Sequence, residues 1–323
     1  MMQIEIDWAK EVSELLQRQM QDWSLLKSNY ENLARVEYRR FMFDGFEIEA
    51  QFNPARIIST SADLSKEAIL KRKCFLCKEN RPGEQEELLY KNEFLILANP
   101  FPILPEHFTV SSTQHIEQSI INRIPIFLEL NRDLGENYSV YYNGPRCGAS
   151  APDHLHFQAG TKNVLPLEKN FDLLKKKFFV KVLSTTSGSI YSIENILRNG
   201  FSVESNSFEE TVELTTMLIQ MLRSEEDLEN EPMTNIICTY ENAMWRVIIF
   251  PRRAHRPKEY FAEDRSKVLI SPAIMDLGGL LITPRKEDFE NLTEELMVNI
   301  FSQVTLNDLS HQALIQRIKH TLS

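Results

Sequence analysis

Apolar residues recur at helical spacing in the first part of the chain and at alternating spacing in the next. The helical stretch spans residues 8–34 and predicts an N-terminal amphipathic helix or a pair of them. Segments 36–43 and 46–52 then alternate around Asp44-Gly45, a pair typical of a two-residue hairpin turn. The chain therefore opens with a helical segment followed by a β-hairpin.

Further along, the pattern predicts both helices and strands. Residues 113–134 should form a helix with His115 in its first turn, and residues 138–143 a strand that leads into a loop of small residues. Later helices are expected within 165–193, over 207–223 and over 292–322, and later strands at 178–183, 234–240, 245–250 and 279–284. The acidic run 225–231 is most simply a solvated loop.

Composition limits the class of protein. The 323 residues are 42% hydrophobic and 25% charged, which is ordinary for a globular chain long enough to bury a substantial core. A formal charge of -10 argues against a general nucleic-acid surface but still allows a local pocket for a nucleotide-sized anion. No apolar run of about 18 residues and no secretory pattern occurs, so a cytoplasmic protein without membrane contact is expected.

The most informative stretch is Asp153-His154-Leu155-His156-Phe157-Gln158-Ala159-Gly160. On a β-strand, its three polar residues His154, His156 and Gln158 leave the same face. Imidazole can serve there as nucleophile, acid, base or metal ligand. A lone histidine is more often structural, but an alternating row after the small-residue loop Gly148-Ala149-Ser150 indicates a shared site.

This stretch resembles the His-x-His-x-Gln transferase branch of the histidine-triad superfamily, which includes galactose-1-phosphate uridylyltransferase, diadenosine tetraphosphate phosphorylase and GDP-hexose phosphorylase. The segment His-Leu-His-Phe-Gln-Ala is most similar to that of the GDP-hexose phosphorylases. The resemblance implies that His156 is the nucleophile that carries a nucleotidyl group covalently. It also implies that Gln158 donates a hydrogen bond to the phosphate.

Cys74 and Cys77 form a Cys-x-x-Cys pair that can bind half of a zinc site. A redox pair is the alternative, although Pro82-Gly83 soon ends any helix that the motif could open. The resemblance completes a closed structural zinc site with His115 and His154, and His107 is a rival third ligand. The other cysteines stand alone, so no disulfide framework is expected.

The resemblance also implies a set of substrate-binding residues. Arg56 follows an Asn-Pro segment that in the family lies near the nucleotide, although it could equally be a solvated arginine. Asn143 matches an asparagine that contacts the substrate near its phosphates. Gly148, Ala149 and Ser150 form a loop whose N–H groups and serine hydroxyl can approach phosphate oxygens, with Ser150 one position out of the usual register.

The implied fold is α+β, with two histidine-triad-like halves that are each an antiparallel sheet flanked by helices. The domains are expected at residues 1–34 for the helical segment, 35–165 for the catalytic half and 166–323 for a degenerate second half without its own His-x-His-x-Gln. A basic cluster in that half could bind a phosphate group or be an exposed loop; its members are Arg252, Arg253, His255, Arg256 and Lys258.

The expected activity is nucleotidyl transfer or phosphorolysis of a nucleoside diphosphate sugar or a dinucleoside polyphosphate. The partners are this substrate and a phosphate or sugar-phosphate acceptor, and a homodimer is conceivable. Glutamine cannot titrate, so Gln158 favours transfer over hydrolysis. A hydrolase of the same superfamily and a zinc-stabilised nucleotide-binding protein without turnover are the alternatives.

Overall fold

The computed structural model describes residues 6–63, 65–223 and 230–321. Its strands are β1 (Glu37–Phe43), β2 (Phe46–Phe52), β3 (Leu88–Tyr90), β4 (Phe94–Ala98), β5 (His107–Ser112), β6 (Tyr138–Asn143), β7 (His156–Thr161), β8 (Phe179–Ser184), β9 (Gly188–Ile193), β10 (Gly200–Ser205), β11 (Thr234–Glu241), β12 (Met244–Pro251) and β13 (Leu280–Thr283).

The α-helices of the described residues are α1 (Trp8–Asp22), α2 (Ser24–Leu33), α3 (Ile57–Thr60), α4 (Lys66–Lys71), α5 (Ile124–Asp133), α6 (Pro166–Lys169), α7 (Phe171–Phe178), α8 (Phe208–Met221), α9 (Lys258–Phe261), α10 (Ile274–Leu277), α11 (Lys286–Asn291), α12 (Glu294–Val304) and α13 (Asp308–Thr321). Side chains cap several of them, as where Asp7 accepts from Lys10 N and Ser207 from Glu210 N. No helix among the described residues is long and apolar enough to cross a membrane.

Ten strands form one antiparallel sheet in the order β3-β4-β5-β7-β6-β11-β12-β10-β9-β8. The first five strands and α5 follow the same chain order and the same pairing as the last five strands and α8. The two halves meet where β6 pairs with β11, with Asn143 opposite Asn235. The α+β fold with two halves, the second lacking the triad, is therefore confirmed, whereas the domain boundaries stay a prediction.

Each face of the sheet is covered by its own layer. The pair α1 and α2, together with α5, α8 and α13, packs on one face around Phe157 and Val247. The other face carries α7, α10, α12 and a small sheet in which the β1–β2 hairpin pairs with β13. Strand β6 is buried along its whole length, and its apolar and aromatic residues are joined by two buried polar ones, Ser139 and Asn143.

Most predicted elements are present, but the helix predicted over 113–134 is wrong in its first half. It begins only at Ile124, with a proline in its first turn, and His115 lies in an irregular segment. The backbone there bonds to the loop before β7: Leu155 N donates to Ile116 O and Gln118 N to Pro152 O. These tertiary bonds replace the helical ones.

The acidic run is only partly described, and residues 225–229 of it lie outside the described residues. Glu231 does not belong to a solvated loop, because it is 6% exposed. Its carboxylate accepts from Ser119 Oγ, Ile120 N and Tyr142 Oη, and these three bonds tie the second half to the first. The prediction of a solvated loop is therefore wrong at this residue.

Candidate active site and metal centre

Strand β7 holds the candidate nucleophile at its first residue. Phe157 points into the helical layer, so His156 and Gln158 share the opposite face with His107 of the neighbouring strand. His156 is buried, and its Nδ1 lies 2.8 Å from His154 O. A carbonyl only accepts, so Nδ1 carries the proton and Nε2 keeps its lone pair.

Burial lowers the pKa of His156 to about 4, with the bond to His154 O opposing the shift. The ring is therefore neutral at neutral pH. A neutral ring with a fixed tautomer is the state in which an imidazole attacks an electrophile.

Gln118 holds the backbone of the same residue. Its Oε1 accepts from His156 N at 2.7 Å, while its Nε2 donates to His156 O at 3.0 Å and Asn143 O at 2.9 Å. The amide is 2% exposed and satisfies three backbone groups where β6 and β7 diverge. It fixes the start of the active strand, although an isolated glutamine outside any motif gives no signal of this role in the sequence.

Four of the predicted residues form one cluster: Cys74, Cys77, His115 and His154 each offer a ligand atom, and these atoms lie within 4.8 Å of one another. Nδ1 of His154 lies 3.3 Å from Cys74 Sγ, and Nδ1 of His115 lies 3.2 Å from Cys77 Sγ. Tetrahedral zinc with bonds of about 2.0–2.3 Å places neighbouring donors about 3.5 Å apart. The donor set and its spacing fit a tetrahedral metal ion.

Further contacts orient both imidazoles towards that point. His154 Nε2 lies 2.9 Å from Ser112 O and therefore donates to it, which leaves Nδ1 as the ligand atom. His115 Nε2 lies 3.7 Å from Asp153 Oδ2, and Asp153 also pairs with Arg72. Such outer contacts commonly set the tautomer of metal-binding histidines.

Two thiolates at Cys74 and Cys77 would repel each other, and a bound cation would offset that repulsion. Burial raises the pKa of Cys74, but bonds from His154 and two backbone N–H groups outweigh it and lower the pKa to about 6. Burial and the charge of Cys74 raise the pKa of Cys77 to about 11. Two thiolates at this distance need a positive partner.

His107 is not part of the cluster. It is fully buried at the start of β5, where its Nδ1 accepts from Ile103 N at 3.2 Å and its Nε2 lies 2.8 Å from Gln158 Oε1. The rival reading of His107 as third metal ligand is therefore not supported by the geometry, which places His115 there.

The small-residue loop rests on the second half of the chain. Asn143 Oδ1 accepts from Asn235 Nδ2 at 2.6 Å and Ile274 N at 2.9 Å, so this oxygen is already engaged. Gly148 has a φ of +114°, and a Cβ there would lie 2.7 Å from that of Ala273. Only glycine fits both the conformation and the contact.

The other predicted substrate residues differ in their surroundings. Ala149 is buried and its N–H donates to Gly144 O within the loop, whereas Ser150 is exposed. Arg56 is partly buried, donates to Phe101 O and lies close enough to His107 for its charge to lower that pKa. Burial lowers the pKa of Arg56 to about 10, opposed by the charge of Asp276. Their roles towards a substrate stay predictions.

The basic cluster is largely structural. Arg252 is 5% exposed and its guanidinium donates to Asn235 Oδ1 and to four backbone carbonyls. Arg253 donates to Ser302 O and Gln303 O, and Arg256 to Thr60 O and Ala62 O. Arg252 therefore fits neither of the two predictions for the basic cluster, a phosphate-binding site or an exposed loop. It joins the segments beneath the small-residue loop.

Sequence comparison extends over both halves. The family model of a domain of unknown function, DUF4922, matches residues 15–161, and that of a GDPGP1-like C-terminal domain matches residues 172–323. No curated protein matches the sequence.

Two solved structures share the fold over most of the chain. The crystal structure of yeast Ap4A phosphorylase Apa2 in complex with AMP has a TM-score of 0.56 and 17% identity, covering 90% of this chain and 95% of that one. A second crystal structure of yeast Apa2 gives a TM-score of 0.52 and 16% identity, with coverage of 88% and 94%. Together with the two family models, this shared fold supports the resemblance of the chain to the GDP-hexose and Ap4A phosphorylase branch of the histidine-triad superfamily.

Proposed function

We propose that this protein is a nucleotidyl-transferring phosphorylase that acts on a nucleoside diphosphate hexose or a dinucleoside polyphosphate through a nucleotidyl-histidine intermediate. One observation carries the proposal. His156 is buried and neutral, and its Nδ1 donates to the carbonyl of His154. Its Nε2 therefore keeps the lone pair and is the reactive atom. The GDPGP1-like family model and the fold shared with Ap4A phosphorylase support this substrate class.

In the first step Nε2 of His156 attacks the α-phosphorus of the donor. The bond from that phosphorus to its bridging oxygen breaks, and a sugar phosphate or nucleotide leaves. In the second step an oxygen of inorganic phosphate or of another phosphate acceptor attacks the same phosphorus and releases His156. Gln158 donates to a non-bridging oxygen as negative charge accumulates in each step.

Other residues bind or position. Arg56, Asn143 and the loop of Gly148, Ala149 and Ser150 contact the donor's phosphates or base. Cys74, Cys77, His115 and His154 hold a zinc ion whose contribution is structural, since all four positions are protein ligands. With such an ion bound, His154 would be held in place, and with it the carbonyl that orients His156.

The test is intact mass at neutral pH after mixing the protein with GDP-, UDP- and ADP-hexoses and with Ap4A. We expect a nucleoside monophosphate adduct whose base identifies the donor. The adduct should be absent in His156→Asn, in which an amide can still donate to His154 O, and present in His320→Asn at an exposed position of α13.

Two results contradict the proposal and separate its rivals. Rapid release of nucleoside monophosphate with no acceptor present identifies a hydrolase. Nucleotide binding in calorimetry with no adduct from any donor, at any quench time, identifies a binding protein.

A further inference from the structure

His107 is a buried histidine that the proposed mechanism leaves unused. It stands on β5 opposite Gly160 of β7, and its ring lies on the face that carries His156 and Gln158. Its side chain is fully buried and contacts Gln158 rather than a metal ligand.

The proton positions of this pair follow from its partners. The backbone N–H of Ile103 can only donate, so Nδ1 of His107 accepts and is unprotonated. In the neutral ring the proton is then on Nε2, which donates to Gln158 Oε1 at 2.8 Å. Burial lowers the pKa of His107 to about 4, so the ring is neutral under ordinary conditions.

The backbone of His107 is held as well. Tyr30 Oη accepts from His107 N and donates to His107 O, which also accepts from Asn99 N. Gly160 lets the preceding turn approach β7 closely, because a Cβ there would lie 2.3 Å from Leu104 Cδ1 and 2.9 Å from Glu106 O. His107 therefore offers a fixed N–H donor at one side of Gln158.

A carboxamide carries an acceptor oxygen and a donor amino group, and only the amino group can donate to a phosphate oxygen. An amide without a fixed partner can rotate and present its oxygen to the phosphate, which is repulsive. The donor on His107 selects the orientation in which Oε1 is turned towards β5 and the amino group away from it.

We propose that His107 is a positioning residue that locks the Gln158 carboxamide with its amino group presented to the transferred phosphoryl group. His107 acts through Gln158 and does not touch the substrate. The inference rests on the proposed function in that Gln158 is taken to contact the phosphate.

The kinetic test uses the rate of adduct formation in rapid-quench mass spectrometry with GDP-glucose and Ap4A. His107→Phe keeps a ring but removes both polar atoms, and it should slow adduct formation roughly 10- to 100-fold, less than the roughly 100- to 1,000-fold loss seen when a transition-state donor is removed outright. Donor affinity should change little. His107→Gln places an N–H donor near the original Nε2 and should restore most of the rate.

A double-mutant cycle separates positioning from a general structural effect. In a Gln158→Ala background, His107→Phe should cause little further loss of rate, because the group it orients is already gone. His311→Phe is the matched control, since His311 is also buried and bonded but packs against Phe201 and Ser192 in the second half. Independent, multiplying losses in the cycle, or equal losses in His107→Phe and His107→Gln, would overturn the inference.

A second readout does not depend on turnover. In ¹⁵N NMR of the wild-type protein, the ring nitrogens of His107 should report the Nε2-protonated tautomer, and the Gln158 side-chain amide signal should shift in His107→Phe. An Nδ1-protonated ring overturns the inference even if the enzyme is active. Absence of any adduct in the wild type overturns the proposed function instead, and the tautomer then still decides whether His107 orients Gln158.

Discussion

At the scale of single residues, one buried side-chain amide fixes the start of the reactive strand. Gln118 satisfies the N–H and C=O of His156 and the C=O of Asn143, which no strand partner reaches at the point where β6 and β7 separate. Buried backbone groups without partners cost about 1–3 kcal/mol each. The position of the nucleophile therefore depends on a side chain far from it in sequence.

Replacing Gln118 by Leu should leave His156 N unpaired and release the start of β7. We expect a loss of roughly 2–4 kcal/mol in the free energy of unfolding and a slower nucleotidylation of His156. Urea denaturation and rapid-quench mass spectrometry measure the two effects. Gln114→Leu, at an exposed position in the same segment, should change neither, and equal behaviour of the two variants would refute the role of Gln118.

At the scale of elements, the segment around Cys74 has little core of its own. Its buried apolar cluster consists of Cys74, Leu76 and Ala151, with Cys77 packed against it. A metal ion in the Cys2His2 cluster would connect this segment to β5 and to the loop before β7. In a small substructure such a site replaces a hydrophobic core.

Removal of the metal should therefore loosen one end of the active strand. Treatment with a strong chelator, or the substitution Cys77→Ser, should lower the midpoint of thermal unfolding by several degrees and slow adduct formation. Elemental analysis should find about one zinc per chain in the wild type and less in the variant. Cys238→Ala should lower stability without loss of metal, and a metal-free wild-type protein with full stability would contradict this prediction.

The packing of α13 on β9 and β10 introduces a dependence on pH. His311 is 1% exposed, bonds to Ser192 Oγ and lies against Phe201. Burial lowers its pKa from 6.5 to about 4, although the charges of Glu194 and Asp308 oppose the shift. The unfolded chain therefore takes up this proton before the folded protein does.

It follows that the contribution of His311 to stability is present above pH 6.5 and is lost as the pH falls towards 4. Relative to His311→Gln, the wild type should lose up to about 1.4 kcal/mol of unfolding free energy per pH unit in this window. Denaturant titrations at several pH values between 7.5 and 4.5 measure the difference. Parallel pH profiles of wild type and variant would show that folding does not shift the pKa of His311.

At the scale of the whole molecule, the half without the triad supports the half that carries it. Arg252 donates to Asn235, Asn235 donates to Asn143 and to Cys147 O, and Gly148 lies on Ala273. The small-residue loop is thus built on contacts from both halves of one chain. The half without its own triad residues therefore contributes to the structure of the site.

Two adjacent arginines allow a direct test of this support. Arg252→Met should destabilise the protein by roughly 3 kcal/mol or more, because several buried acceptors lose a charged donor, and should weaken donor binding by displacing the loop. Arg253→Met, at an exposed position, should cost less than about 1 kcal/mol. Calorimetric unfolding and AMP or GMP titration provide the measurements, and comparable losses in the two variants would argue against a special role for Arg252.

The sequence by itself determined the features that depend on local spacing. Alternation placed His156 and Gln158 on one face of a strand, Asp44-Gly45 set the hairpin, and the Cys-x-x-Cys pair marked half of the metal cluster. Such features arise from backbone periodicity and turn chemistry, which neighbouring residues control. The resemblance to the superfamily added His115 and His154 as the other half.

Only the tertiary structure decided which distant groups meet. It assigned His107 to Gln158 rather than to the metal cluster, brought Gln118 to His156, and buried Glu231 and Arg252 between the halves. It also replaced the predicted helical start at residue 113 by bonds to another loop. These outcomes depend on which buried donors and acceptors find partners across the fold, and that pairing is not encoded in the spacing of any one segment.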